Sequence, residues 1–127
     1  MGRIMLATSA STDEEYGGNI EQEATSLRLE FAPDVTNNSS WAEVYGKELI
    51  IGIDFIFSAG ESGGWKDAFT IKNIPSSLSS NGFCAVVNAT GSSVRNAQAY
   101  QSGNDVIVRV RYPEADTYRG QIVTLLD

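Results

Sequence analysis

The chain has 127 residues, 42% of them hydrophobic and 20% charged, enough for one domain with its own core and too few for two ordinary ones. Nine Lys and Arg against 16 Asp and Glu give a net charge of −7, which disfavours nucleic acid and anionic membrane surfaces as partners. The lack of any histidine excludes Ser-His-Asp and Cys-His catalysis and most zinc sites; the single cysteine, Cys84, excludes an intrachain disulfide and points to a reducing compartment.

Residues 1–25, MGRIMLATSASTDEEYGGNIEQEAT, differ in character from the rest of the chain. Ser11 with Glu14 offers a capping box, but Gly17 and Gly18 stop a helix almost at once. The segment reads as an N-terminal arm or linker with one short strand at Ile4–Ala7, or equally as a leader without fixed structure. Its apolar start, IMLATSA, is too short and too lightly charged for a signal peptide. No stretch nears the roughly 20 apolar residues of a membrane helix.

Residues 26–127 read as strands separated by turn signals. SLRLEFA alternates Leu27, Leu29 and Phe31 against Arg28 and Glu30, and PDVTNNSS is loop chemistry. WAEVYGKELIIGIDFIFSA comes next, with Gly46 and Lys47 as a tight turn. In its second half Leu49, Ile51, Ile53, Phe55 and Phe57 share one face, expected in the core. Glu48, Ile50, Gly52, Asp54 and Ile56 share the other, a mixed face suited to partial cover. AGESGG is a loop, WKDAFTIKNI a strand closed by Pro75, PSSLSSN a loop, GFCAVVNA a strand and TGSS a turn. VRNAQAYQ is a strand and SGN a turn. In DVIVRVRY, Val106, Val108, Val110 and Tyr112 share one face, and Ile107, Arg109 and Arg111 the other. PEADTYRG turns, and QIVTLLD closes the chain. About seven or eight short strands with no helical period predict an all-β domain, an antiparallel β-sandwich or jelly-roll-like barrel.

Asp54 stands in the middle of the strongest apolar run. An unpaired buried carboxylate is costly, so the side chain is expected to be solvated or paired, and the strand pattern offers Arg109 and Arg111 as partners. A glycosidase needs two carboxylates across a bond, and the loose acidic groups (Asp13, Glu14 and Glu15; Glu61 and Asp67; Glu114 and Asp116) single out no such pair. Cys84 lies inside the apolar GFCAVV and reads as a small buried hydrophobe. ESGGWKD and PEADTYRG lack calcium-loop spacing, and SAGESGGW matches neither a phosphate loop nor a dinucleotide fingerprint, so no metal or cofactor is expected. The sequons at Asn37, Asn38 and Asn88 are what chance gives in a Ser/Asn-rich chain.

The aromatics are more informative. Trp41, Tyr45, Trp65, Tyr100, Tyr112 and Tyr118 fall at strand ends or beside turns, where each is either a rim residue of the core or a platform for a ligand. Sugars stack their apolar faces on such rings while amides and carboxylates read the hydroxyls. Asn73, Asn96, Gln98 and Asn104 are polar candidates. Trp65 as platform, with Tyr100, Asn96, Gln98 and Asp67 around it, is the favoured ligand-binding set.

WAEVYGKELIIGIDFIF, FTIKNIPSSLSSNGFCAVV, AQAYQSGNDVIVRVRY and YRGQIVTLLD occur in that order over about residues 41–127. Together they resemble the head domain of a phage tail-fibre or baseplate receptor-binding protein: an aromatic opening and long apolar strand, a strand broken at proline, a late hairpin, a closing strand. The resemblance implies a β-sandwich head, a homotrimer and binding of host cell-surface saccharide without catalysis. It also implies a place in the virion, after synthesis in the bacterial cytoplasm, with contacts to other virion proteins through the arm. In such a trimer Asp54 of one subunit meets Arg109 or Arg111 of the next. A Met-led segment in place of a stalk departs from the pattern. The alternatives are a structural virion subunit (decoration, fibre tip or connector) that binds no glycan, and a carbohydrate-binding module of a cellular enzyme.

Overall fold

The computed structural model describes residues 3–5, 21–88 and 91–127. The capping box expected at Ser11 and Glu14, and the later part of the strand expected at Ile4–Ala7, lie outside them. The described strands, in chain order, begin with β1 (Arg3–Met5), β2 (Glu21–Glu23), β3 (Thr25–Ser26), β4 (Leu29–Phe31), β5 (Val35–Asn37) and β6 (Trp41–Tyr45). The later ones are β7 (Glu48–Phe57), β8 (Trp65–Ile71), β9 (Gly82–Asn88), β10 (Val94–Ser102), β11 (Asp105–Arg111) and β12 (Thr117–Leu125). No helix occurs among the described residues. β1 pairs with β2 alone; the other ten strands form one antiparallel sheet in the order β3-β6-β7-β12-β9-β10-β11-β8-β4, with β5 on β7.

β7 organises this sheet. β12 pairs with it from Thr117 opposite Ile56 to Leu125 opposite Glu48. Along its other side run β5, opposite Phe55–Phe57, and β6, opposite Glu48–Gly52. The two-residue turn between β6 and β7 is Gly46-Lys47, as expected, and Gly46 supplies its positive φ of 65°. The inward row of β7 is the predicted one: Leu49, Ile51, Ile53, Phe55 and Phe57 are all buried.

The two ends of the strand order meet in the chain. Between β3 and β4 stand only Leu27 and Arg28. The Leu27 N–H donates to the Ala42 carbonyl of β6 (2.9 Å), and the Arg28 carbonyl accepts from Lys72 N–H beyond β8 (2.9 Å). One short run therefore serves both edges, and the sheet must curl into a half-barrel to let it do so. The apolar alternation of SLRLEFA survives the switch of partner, with Leu27, Leu29 and Phe31 packed against the core.

Aromatic rings fill the inside. Phe55 lies 4.8 Å from Phe57, 6.1 Å from Phe69 and 6.5 Å from Tyr118, and Phe31 is 5.0 Å from Phe69, mostly tilted or edge-on. Tyr118 is fully buried, so its hydroxyl needs a partner; it accepts a hydrogen bond from Glu114 N–H at 2.8 Å and pins the turn before β12.

Three expectations are corrected. The main sheet has ten strands rather than seven or eight, partly because PDVTNNSS holds β5. PEADTYRG turns only as far as Asp116, since Thr117–Gly120 already pair with β7. Tyr112 leaves the row of Val106, Val108 and Val110 because its φ is 51°, which swings it to the surface. Replacing Tyr118 by Phe removes the acceptor for Glu114 N–H without opening a cavity. It is expected to cost about 1 kcal/mol in urea unfolding, with an unchanged slope. An unmoved midpoint would show that the hydroxyl does not pin the turn.

Candidate functional site

The pairing of β8 with β11 shifts register: Val108 faces Phe69, but Arg109 faces Asp67, leaving Ala68 as the extra residue of a bulge. Simple alternation from the buried Phe69 would have turned Asp67 and Trp65 inward. The bulge reverses them. Ala68 and Phe69 are both buried, Lys66 points to the inner side, and Asp67 and Trp65 join the outward row of Arg109 and Arg111. Lys66 is satisfied there by an ion pair with Asp34, and its ammonium lies 5.4 Å from the Phe57 ring centroid.

Outward side chains of β8, β10 and β11 then form a stacked series. The Arg109 guanidinium sits 4.2 Å from the Tyr100 ring centroid and 4.7 Å from that of Trp65. Arg111 lies 5.9 Å from Trp65 and 4.8 Å from Tyr112, and its Nη2 donates to the Tyr112 hydroxyl at 3.2 Å. Arg109 Nε donates to the Gln98 amide oxygen at 2.8 Å. Next to this series an open depression is lined by Val94, Arg95, Asn96, Arg111 and Tyr112. Arg95 forms its wall, fixed by Nε donating to the Tyr112 carbonyl at 2.8 Å and by an ion pair with Glu114 at 3.5 Å.

All five residues of the expected ligand set lie on this outer face, on the two strands that flank β11. Their states differ. Asn96 and Asp67 are exposed, and Asn96 lines the depression. Trp65 and Tyr100 are half-buried and already hold Arg109, so Trp65 is a Trp–Arg surface rather than a bare platform. Gln98 is buried, with its oxygen committed to Arg109. Asn73 and Asn104 lie elsewhere, in turns beside Asp105. Residue type alone does not reveal the central place of Arg109 and Arg111 in this cluster, although the R-V-R spacing of DVIVRVRY does put both on one face.

Asp54 is not paired with Arg109 or Arg111 within the chain, because β7 and β11 are separated in the sheet by β12, β9 and β10. Its carboxylate accepts from Ser39 Oγ (2.7 Å), Asn38 Nδ2 (3.1 Å) and Arg119 Nε (3.4 Å), Arg119 being its direct neighbour on β12. Here the run from β5 to β6 bulges away from β7. Asn38 and Ser39 N–H both reach the Asp54 carbonyl, and the Ser40 hydroxyl bonds to both the carbonyl and the N–H of Asp54. NNSS is thus a bulge tied down by Asp54, side chain and backbone together, which answers why an acid stands in the apolar run. Close by, Trp41 covers Gly52, where a Cβ would come within 2.2 Å of the indole nitrogen.

Cys84 is half-buried and burial raises its thiol above the ordinary value, against a hydrogen bond from the Gln121 backbone, which suits a packing role. No group of three or more His, Cys, Asp or Glu gathers to hold a metal ion among the described residues. No protein-family description, curated protein or solved structure matches the chain.

Hydrogen bonds from Ser39 and Asn38, with Arg119, hold the Asp54 carboxyl below 3.8 despite burial. Lys66 does the same for Asp34, and Asn73 N–H with Lys72 for Asp105. Each carboxyl binds its proton less tightly folded than unfolded, so the unfolded chain takes up more protons as the pH falls. Their contribution is complete above 3.8 and is lost as the pH drops through the lower folded values. Urea midpoints measured from neutral pH downward should show this acid loss, and Asp54→Asn should lower the neutral plateau and flatten the acid branch. An acid branch identical to that of the parent would remove Asp54 from the account.

Proposed function

We propose that this chain is a non-enzymatic attachment module that binds saccharide through the outer face of β8, β10 and β11, as the trimeric head of a phage tail-fibre or baseplate protein. The observation that carries it is the rigid aromatic and amide surface made there by Trp65, Tyr100, Tyr112 and Asn96 around two stacked arginines. Stacking on ring faces with amides reading hydroxyls is how sugars are held, and a surface already locked by internal contacts loses little entropy on binding. The sandwich-like or jelly-roll-like description of the curled sheet, the threefold assembly and the place in a virion rest on the resemblance over residues 41–127.

A second reading has its own support. Phe83, Val87, Val94, Val123 and Leu125 are exposed on β9, β10 and β12. Exposed apolar residues this close together favour burial against another protein, as in a structural virion subunit that binds no glycan.

Two measurements test these readings. Light scattering should give three times the chain mass of 13.7 kDa, whereas a monomer favours a carbohydrate-binding module of a cellular enzyme. Trp65→Ala should abolish retention on host surface polysaccharide while leaving the thermal midpoint within a few degrees of the parent. Retention equal to the parent's removes Trp65 from the site, and a parent that binds no host polysaccharide favours the structural subunit.

A further inference from the structure

The cations of this acidic chain are mostly spoken for. Arg28 pairs with Glu30, Lys66 with Asp34, Lys72 with Asp105, Arg95 with Glu114 and Arg119 with Asp54. The exceptions among the described side chains are Lys47, in its turn, and the stacked pair Arg109 and Arg111. Among the described residues neither arginine makes an ion pair, although carboxylates outnumber cations in the sequence by 16 to nine. Asp67 faces Arg109 across the strands but is not joined to it. Aromatic stacking uses the flat faces of a guanidinium and leaves its edge nitrogens free for a planar acceptor. Among the described residues, of the Arg109 nitrogens only Nε is used, by Gln98, and of Arg111 only Nη2, by Tyr112.

We infer that the depression beside Tyr112 takes the anionic group of an acidic saccharide, a carboxylate or a phosphate, with Arg111 as the principal contact and Arg109 supporting it. The inference rests on the proposed saccharide binding and adds the charge class of the ligand. Arg109 and Arg111 are two residues apart on one strand face, so their Cα atoms are about 7 Å apart, and the Trp65 ring touches both. An acid group on a sugar ring can meet Arg111 while the ring itself lies along Tyr112 and Asn96. A free inorganic anion has no apolar face for those walls. The net charge of −7 does not forbid this, because salt screens charges more than about 8 Å away at physiological ionic strength. Around the depression Arg95 is paired with Glu114 and Asp67 stands opposite Arg109, while Arg111 stands opposite Trp65.

The test applies the full chain to immobilised oligosaccharides of matched length: neutral galactans, oligogalacturonates bearing carboxylates, and glycerol-phosphate-bearing sugars. One acidic set should be retained and the neutral set not, and the set retained distinguishes carboxylate from phosphate. Arg111→Gln should weaken retention about tenfold or more, the size of one charge-assisted hydrogen bond. Arg111 is exposed, so the variant keeps its fold, which a melting curve verifies. Lys47→Gln makes the same change of net charge in the Gly46-Lys47 turn and should leave retention unchanged. Equal loss in both variants would overturn the site in favour of general charge attraction. Equal retention of neutral and acidic sugars, abolished by Trp65→Ala, would overturn the acidic class and leave saccharide binding standing. A parent that retains no sugar overturns both.

Discussion

The burial of one row of side chains on β7 sets everything else in this fold. Leu49, Ile51, Ile53, Phe55 and Phe57 are sealed against Phe69, Tyr118 and the valines of β11. Because strand side chains alternate, a slip of one residue would send Asp54, Gly52 and Ile56 inward in their place, so the register of β7 is firmly specified. β12 is locked to it along nearly its whole length. From that pair the sheet extends both ways until the short run through Leu27 and Arg28 meets both edges. Two bulges ease the curvature. One is at Asn38–Ser40, anchored by Asp54, and the other at Ala68.

Those bulges also place the chemistry of the outer face. At Asn38–Ser40 the extra residues bring hydroxyl and amide groups onto a carboxylate that would otherwise interrupt an apolar strand alone. At Ala68 the change of parity exchanges Lys66 for Trp65 and Asp67 on the outside. Without it Ala68 would stand opposite Arg109 and Lys66 opposite Arg111 on the outer row, and the like charges of Lys66 and Arg111 would repel. With it, the arginines lie against rings and amides. The bulge therefore removes a repulsion and builds the stacked series in a single step, while the displaced lysine finds Asp34.

How much of this is legible in the sequence divides along a physical line. Alternation is local, so the inward row of β7, the valine row of β11 and the turns at Gly46-Lys47 and Gly103-Asn104 can be read directly. The choice of Trp65, Asp67, Asn96, Gln98 and Tyr100 as candidate ligand contacts is legible in residue type and, for the rings, in position near turns. Who neighbours whom is not. Alternation alone offers Arg109 and Arg111 to Asp54, yet strand order puts Arg119 beside it. Pairing order is decided by long-range closure, which leaves no mark in any short window. The bulge at Ala68 is equally silent, since alanine suits either parity. Tyr112 departs from its expected row because a positive φ in a tyrosine is rare and nothing in DVIVRVRY announces it.

A stacked arginine on a shallow face has a consequence for strength. The depression at Tyr112 is open to solvent and cannot enclose a ligand, so a single site offers a few hydrogen bonds and one ring contact. Its preorganisation helps: Gln98 is buried and holds Arg109 Nε, Tyr100 and Trp65 hold the guanidinium faces, and Tyr112 holds Arg111. These fixed contacts lower the entropy lost on binding, but they do not enlarge the contact area. Open, rigid sites of this kind gain strength by number. In the proposed threefold head, three such faces would meet a repeating surface polymer together, and each further contact would form at the raised effective concentration set by the first. A repeating acidic polysaccharide supplies the matching repetition of charge. A head of that kind would not need a deep pocket. Such a head would need three rigid copies of a weak contact on a body stiff enough to keep them in register, and the ring-filled half-barrel is a stiff body of that kind.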